Sequence, residues 1–184
     1  MAFRAFIAAD VKLGPPALDI WSKLNDSGAS LKMVNPEITH VTLRFLGDTD
    51  EGLTDDIGSL MNEAVAGVEP FDVELKGLGV FPKPTYIKVV WAGMEGAEPL
   101  VDISGKLEEG VRRLGFKKEK PFRPHLTLAR VKGGRNIKEV ASIVEDNPDA
   151  ALGSFHVDRI VLKKSVLRPE GPEYSDIREA KLGP

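Results

Sequence analysis

Two of the chain's three histidines sit in the same four-residue setting, His40-Val41-Thr42-Leu43 in the first half and His125-Leu126-Thr127-Leu128 in the second. Side chains alternate faces along a strand. His40, Thr42 and Arg44 therefore point one way on an extended backbone, and Val41, Leu43 and Phe45 the other. The same count groups His125 with Thr127, opposite Leu126 and Leu128. Each strand has an apolar face for a core. Its other face presents an imidazole and a hydroxyl about 7 Å apart, at a rise of ~3.3 Å per residue.

Two such faces across a cleft suit proton transfer about a phosphate. Imidazole titrates near neutral pH, so one ring can be neutral and the other protonated at the same time. The neutral ring takes a proton from an attacking water, and the protonated ring gives one to the departing oxygen. The threonine hydroxyls donate to non-bridging phosphate oxygens. A strained cyclic phosphate needs no more reactive nucleophile than that. The competing reading is a duplicated scaffold that keeps polar face residues without catalysis. A zinc site fits poorly, because His-x-Thr supplies one ligand per strand and no carboxylate or third histidine stands at ligand spacing. No metal or other cofactor is expected.

Positioning these strands requires a packed domain. The chain has 184 residues, 42% hydrophobic and 29% charged, which suffices for one domain with a buried core. With no cysteine, disulfides, thiolate metal sites and a cysteine nucleophile are excluded. A net charge of −3 argues against non-specific grip on long nucleic acid, yet leaves room for a local basic pocket. The opening MAFRAFIAAD is too short and too quickly interrupted by charge for a signal peptide or membrane span. It reads as a buried first strand of a cytoplasmic protein, by default a monomer.

The patterning predicts strands at 3–10, 38–47, two within 71–94 around the bend Phe81-Pro82-Lys83-Pro84, 125–131, 155–167 and 174–182. Helices are expected at 15–26, 54–67, 99–115 and 136–147, and residues 31–37 read as a turn-containing connection. Strand, helix, histidine strand, helix, two strands is followed by helix, histidine strand, helix, two strands. This internal pseudo-repeat predicts an α+β fold of two similar lobes with largely antiparallel sheets flanking a cleft, and helices outside. Residues 1–184 read as one bilobal domain, with no flexible linker.

The paired motifs, with Phe81-Pro82 and Trp91 between them, resemble the two-histidine phosphoesterase superfamily. The flanking FRAFIAAD, THVTLRFLGD, GLGVFPKP, KVVWAG and PFRPHLTLAR resemble its LigT-like RNA 2′,3′-cyclic phosphodiesterase branch, also called 2′-5′ RNA ligases, over nearly the whole chain. The resemblance implies metal-independent hydrolysis of an RNA 2′,3′-cyclic phosphate end to a 2′-phosphate. It further implies that His40 is the proton donor, His125 the proton acceptor, and Thr42 and Thr127 the phosphate-binding threonines. Reversal of the reaction would join RNA ends through a 2′-5′ linkage. The two motifs are nearly symmetric, so their residues alone do not say which histidine is acid and which is base.

Several further residues are candidates. Arg130 could neutralise phosphate, but simple alternation groups it with Leu126 and Leu128; a bulge would turn it toward Thr127. Arg44 shares the His40 face by the same count and reads as a solvated rim residue. Arg123, between Pro121 and Pro124, could reach RNA backbone, and Phe81 could stack a base or anchor a loop. Trp91 reads as core, Lys163-Lys164 as edge-strand charge with some reach to RNA, and His156, with no threonine two residues on, as a surface histidine. The expected partner is RNA with a 2′,3′-cyclic phosphate end, tRNA fragments included. The alternatives are a phosphodiesterase for a small cyclic nucleotide or 2′-5′ oligonucleotide, and an RNA- or nucleotide-binding module without turnover.

Overall fold

The computed structural model describes residues 1–183. Along the chain run β1 (Ala2–Asp10), α1 (Pro15–Asp26), β2 (Leu31–Met33), β3 (His40–Asp50), α2 (Thr54–Val65), β4 (Phe71–Lys83) and β5 (Tyr86–Glu95). They are followed by α3 (Glu98–Arg113), β6 (Leu126–Val131), α4 (Ile137–Glu145), β7 (Ala151–Val157), β8 (Arg159–Arg168) and β9 (Gly171–Lys181). One sheet has the order β3-β1-β8-β9 and the other β2-β6-β5-β4-β7. Every pairing is antiparallel. α2 and α3 back the first sheet, α1 and α4 the second. The fold is thus α+β with two lobes, one histidine strand in each.

The lobes are not the two halves of the chain. β8 and β9 return from the C-terminal half to complete the first sheet, and β2 leaves the N-terminal half to pair with β6 in the second. The helix before each histidine strand covers the opposite lobe: α1 lies on β2 and β7, and α3 on β3. The connection expected at 31–37 therefore contains a short strand. The single strand expected at 155–167 is two, parted by a bend at Asp158, where the chain crosses from the second sheet to the first. Neither glycine nor proline marks that crossing, and the apolar residues on both sides are β-favouring. The bend anticipated at 81–84 is tighter than its prolines suggest, since β4 runs through Pro82 and the turn is Pro84-Thr85.

The helices form for reasons visible in their sequences. In α1, Pro15 and Pro16 occupy first-turn positions that need no N–H donor, and Ala17, Ile20 and Leu24 face inward. α3 buries Leu100, Ile103, Leu107 and Val111 at helical spacing, and Gly115 follows it at φ +93°. Each such fully buried Leu or Ile contributes about 1.5–3 kcal/mol. Gly110 lets α2 approach α3, since a Cβ there would lie 2.9 Å from the Leu60 side chain.

Candidate active site

Both histidine strands carry a β-bulge at the same point. In β3, Ala8 of β1 pairs with Thr42 and Ile7 with Arg44, leaving Leu43 as the extra residue. In β6, Trp91 of β5 pairs with Thr127 and Val90 with Ala129, leaving Leu128 extra. A bulge removes one carbonyl from the ladder, and buried carbonyls need other partners. Ser104 Oγ of α3 donates to Leu43 O at 2.8 Å, and the Val34 backbone N–H donates to Leu128 O at 2.9 Å.

Each bulge reverses the facing of the residues beyond it. Arg130 is turned to the side of Thr127 and is exposed. Arg44, expected on the cleft rim, goes the other way: only 4% of it is exposed. Its guanidinium donates to Phe45 O and to Lys117 O, and Nε lies 2.6 Å from Glu108 Oε2 of α3. That last contact is electrostatic, for neither Nε nor Oε2 has a well-directed hydrogen bond. Arg44 thereby ties the histidine strand of the first lobe to the segment leading into His125.

β3 and β6 approach within 8 Å between Cα atoms, so the two motif strands adjoin where the sheets meet. His40 Nδ1 is 3.0 Å from Ile38 O, and His125 Nδ1 is 2.6 Å from Arg123 O. A carbonyl can only accept, so in both rings Nδ1 carries the hydrogen and donates. Nε2 is then the nitrogen left to exchange a proton, a base when the ring is neutral and an acid when it is protonated. Both imidazoles are held by the carbonyl two residues back, a symmetry matching that of the bulges. Thr42 is exposed and Thr127 half-buried beside these rings.

Aromatic rings wall each imidazole. On the second lobe, Phe81 stands edge-on to His125 at 5.2 Å between centroids, and Trp91 lies 5.1 Å from Phe81 and 6.4 Å from His125. Trp91 therefore lines the cleft and is not a core residue. Its ring lies across Gly79 on β4, where a Cβ would come within 2.2 Å of the indole, so only glycine leaves room for it. On the first lobe, Phe6 lies 4.8 Å from His40, and Tyr174 of β9 packs edge-on against both, at 5.1 Å from Phe6 and 5.2 Å from His40. β3 and β9 are opposite edges of their sheet, three strand spacings or about 14 Å apart if it were flat. Ring contact between them means the sheet is strongly curled.

Beside His40 lies an ionic cluster that the sequence does not announce. Lys163, expected as edge-strand charge, is on an interior strand and is 7% exposed. Its Nζ lies 3.0 Å from Asp10 Oδ1 and 2.7 Å from Asp176 Oδ1. Burial alone would lower the ammonium pKa, but the hydrogen bonds to Asp176 and Asp10 outweigh it and hold Lys163 above its ordinary value. Asp10 is the cross-strand partner of His40. The one local signal for this cluster is Asp10 closing an apolar strand; its pairing with a lysine of β8 and an aspartate of β9 is tertiary. Lys164 points to the other face, over the Phe3 ring. Arg123 is exposed, and its contribution within the protein is its carbonyl. His156 lies away from the cleft on β7, paired with Asp72 at 2.7 Å, as a surface histidine.

Burial pushes His40 below its ordinary 6.5 and Lys163 adds to the effect, while the Ile38 carbonyl and Asp10 oppose it. Asp10 and Lys163 are the charges that act on it; Asp176 pairs with Lys163, and Tyr174, on which Arg130 acts from the other lobe, touches the His40 ring. His40 is therefore expected to titrate below 6.5 in the empty protein. Asp10→Asn removes a favourable anion and moves the midpoint further down; Lys163→Met removes a cation and moves it up. The three histidines make this a simple proton NMR titration; a wild-type midpoint at or above 6.5, or no movement in either variant, would contradict the assignment. The unfolded chain binds this proton more readily than the fold does, so His40 withdraws stability as pH falls below 6.5.

Residues 19–166 match the family model of the 2′-5′ RNA ligase superfamily. The chain belongs to that superfamily. A relative from Methanothermobacter thermautotrophicus, named RNA 2′,3′-cyclic phosphodiesterase, is 38% identical over 99% of this chain and 100% of its own. One of the same name from Aeropyrum pernix is 39% identical over 87% of this chain and 93% of its own. Among solved structures, a Thermus thermophilus protein superposes with a TM-score of 0.79 at 28% identity, covering 97% of both chains. E. coli LigT, crystallised with 3′-AMP, superposes with a TM-score of 0.74 at 21% identity over the full length of both. The fold on which both histidine strands are mounted is thus shared with these solved structures.

Proposed function

We propose that the protein is an RNA 2′,3′-cyclic phosphodiesterase, hydrolysing the cyclic end to a 2′-phosphate by proton transfer between two histidines. The observation that carries the proposal is the matched pair of imidazoles. Each has Nδ1 committed to a backbone carbonyl and Nε2 free, on strands that meet across one cleft. The names of the relatives at 38–39% identity point to the same reaction. Among the described residues, no group of three His, Cys, Asp or Glu stands ready to hold a metal, and the proton transfers are assigned to the imidazoles alone.

In the proposed reaction His125 Nε2 takes a proton from water as the water oxygen bonds to phosphorus. The P–O3′ bond breaks, and His40 Nε2–H delivers its proton to O3′. Thr42, Thr127 and Arg130 hold the non-bridging oxygens. Turnover leaves His40 neutral and His125 protonated, and exchange with solvent restores both. Burial disfavours the His40 imidazolium, so its acid role draws on the bound phosphate, whose negative charge favours that form. Phe81 and Trp91 offer a stacking surface for the terminal base, and Arg123 a backbone contact at its margin. The same displacement with an RNA 5′-hydroxyl in place of water would form a 2′-5′ bond as P–O3′ breaks. We place the protein in the cytoplasm as a monomer acting on RNA ends such as tRNA fragments; no described helix is long and apolar enough to cross a membrane.

The test is turnover of a short RNA ending in a 2′,3′-cyclic phosphate with EDTA present, with the product identified as 2′- or 3′-phosphate. EDTA-resistant release of a 2′-phosphate is the expected result. Turnover confined to a small cyclic nucleotide, or binding of RNA without turnover, would overturn the RNA phosphodiesterase proposal.

A further inference from the structure

Tyr174 belongs to neither motif strand. It sits near the start of β9, in register with Ser165 of β8, and on the face it shares with Asp176. Asp176 and Lys163 are paired on that face, and Lys163 lies opposite Phe6, whose ring supports His40. The curl of the sheet brings the phenol ring edge-on to His40.

The ring is thus fully accounted for by packing, whereas the hydroxyl is not. Among the described residues the phenol oxygen has no hydrogen-bond partner, and it is not among the side-chain oxygens sealed from solvent. A half-buried tyrosine hydroxyl ordinarily finds a partner. Two cations act on this one: Arg130 from the opposite lobe and Lys163 from behind. Burial raises the phenol above its ordinary value despite both, so it stays a hydrogen-bond donor across the working pH range. A neutral donor on a ring that touches His40, within the electrostatic reach of Arg130, is suited to an anionic oxygen.

We propose that Tyr174 is a third substrate-binding group, its O–H donating to a non-bridging oxygen of the phosphate held between His40 and Arg130. This rests on the phosphodiester reading above and adds to it a contact from β9. It also gives the first lobe a hydroxyl beside its histidine, where the second lobe has the Phe81 ring and the Trp91 indole. The two sides of a nearly symmetric cleft are thereby made unequal at the phosphate.

Tyr174→Phe keeps the ring and deletes only the hydroxyl; Tyr174→Ala deletes both. Two readouts are compared with wild type: kcat/KM on the cyclic-phosphate RNA, and affinity for inorganic phosphate followed through the His40 ring protons. Tyr174→Phe is expected to lower both by roughly ten- to a hundredfold, the loss for one hydrogen bond to a charged group. Its His40 resonance should stay in place without phosphate, showing that the ring is undisturbed. Wild-type kcat/KM and phosphate affinity in Tyr174→Phe, with loss only in Tyr174→Ala, would reduce Tyr174 to packing and overturn the inference. If wild type turns over no RNA, the phosphodiesterase reading fails by itself, and the phosphate affinity of Tyr174→Phe still decides this one.

Discussion

His40→Ala and His125→Ala will each lower kcat on a cyclic-phosphate RNA by about 10²–10⁴-fold, the range for loss of one general acid or base. The effect falls on kcat because each proton moves only in the transition state; ground-state binding rests on the threonines and Arg130. The double variant will lose little more than either single one. Once one proton cannot be moved, the other imidazole no longer assists a concerted displacement, and groups that act as a unit are not additive. In wild type, kcat/KM should be bell-shaped in pH, the form expected when one acid and one base share the proton transfers. Lys163→Met should displace the limb that belongs to His40, the ring beside the ionic cluster, and leave the other in place. Steady-state kinetics on the single and double variants across pH test all of this. Near-wild-type kcat in either single variant would remove that histidine from the chemistry.

Arg44→Met will destabilise the fold by about 2–4 kcal/mol, the scale of breaking a largely buried ion pair while leaving its partner behind. The arginine side chain is 4% exposed and Glu108 is 23% exposed, so the stranded carboxylate is only partly rescued by water. Two backbone carbonyls, Phe45 O and Lys117 O, lose their donor as well. Urea unfolding should show a lower midpoint at unchanged slope. Arg44→Met with Glu108→Leu should recover part of the loss, because no charge is then left unpaired. The single variant should also lower kcat more than it raises KM. Lys117 heads the segment that ends in Arg123, whose carbonyl anchors His125. An unchanged urea midpoint would show that Arg44 is not the tie between the lobes.

Much of the molecule is present in the order of its residues. Hydrophobic periodicity marks α1, α2, α3 and α4 nearly to their ends, because each buries one stripe and caps or breakers bound it. The His-x-Thr repeat singles out His40, Thr42, His125 and Thr127, because strand alternation is a local property and needs no knowledge of neighbours. Alternation fails two residues later in both strands, and for one cause. A bulge depends on which carbonyls a neighbouring element can satisfy: Ser104 for Leu43, Val34 for Leu128. Neither partner is near in sequence. That is why alternation puts Arg44 on the rim although it lies inside, and groups Arg130 with Leu126 and Leu128 although it faces the side of Thr127.

The parts of the site that local patterns miss share one character. Trp91, in an apolar strand, looks like core, because a glycine on the next strand, not anything near it in sequence, lets its ring lie along the cleft. Lys163 looks like edge charge, because only the strand order β3-β1-β8-β9 makes β8 interior and brings Asp10 and Asp176 to it. Tyr174 carries no signal at all, since it reaches His40 through the curl of a four-stranded sheet. Periods of 2 and 3.6 residues were enough to specify the repeat, the four helices, most of the strands, and the two imidazole–hydroxyl faces. Which strands share a sheet, where the bulges turn the chain, and which charges and rings surround His40 were settled only in three dimensions. Those outcomes depend on contacts between residues far apart in the chain, and no local period encodes them.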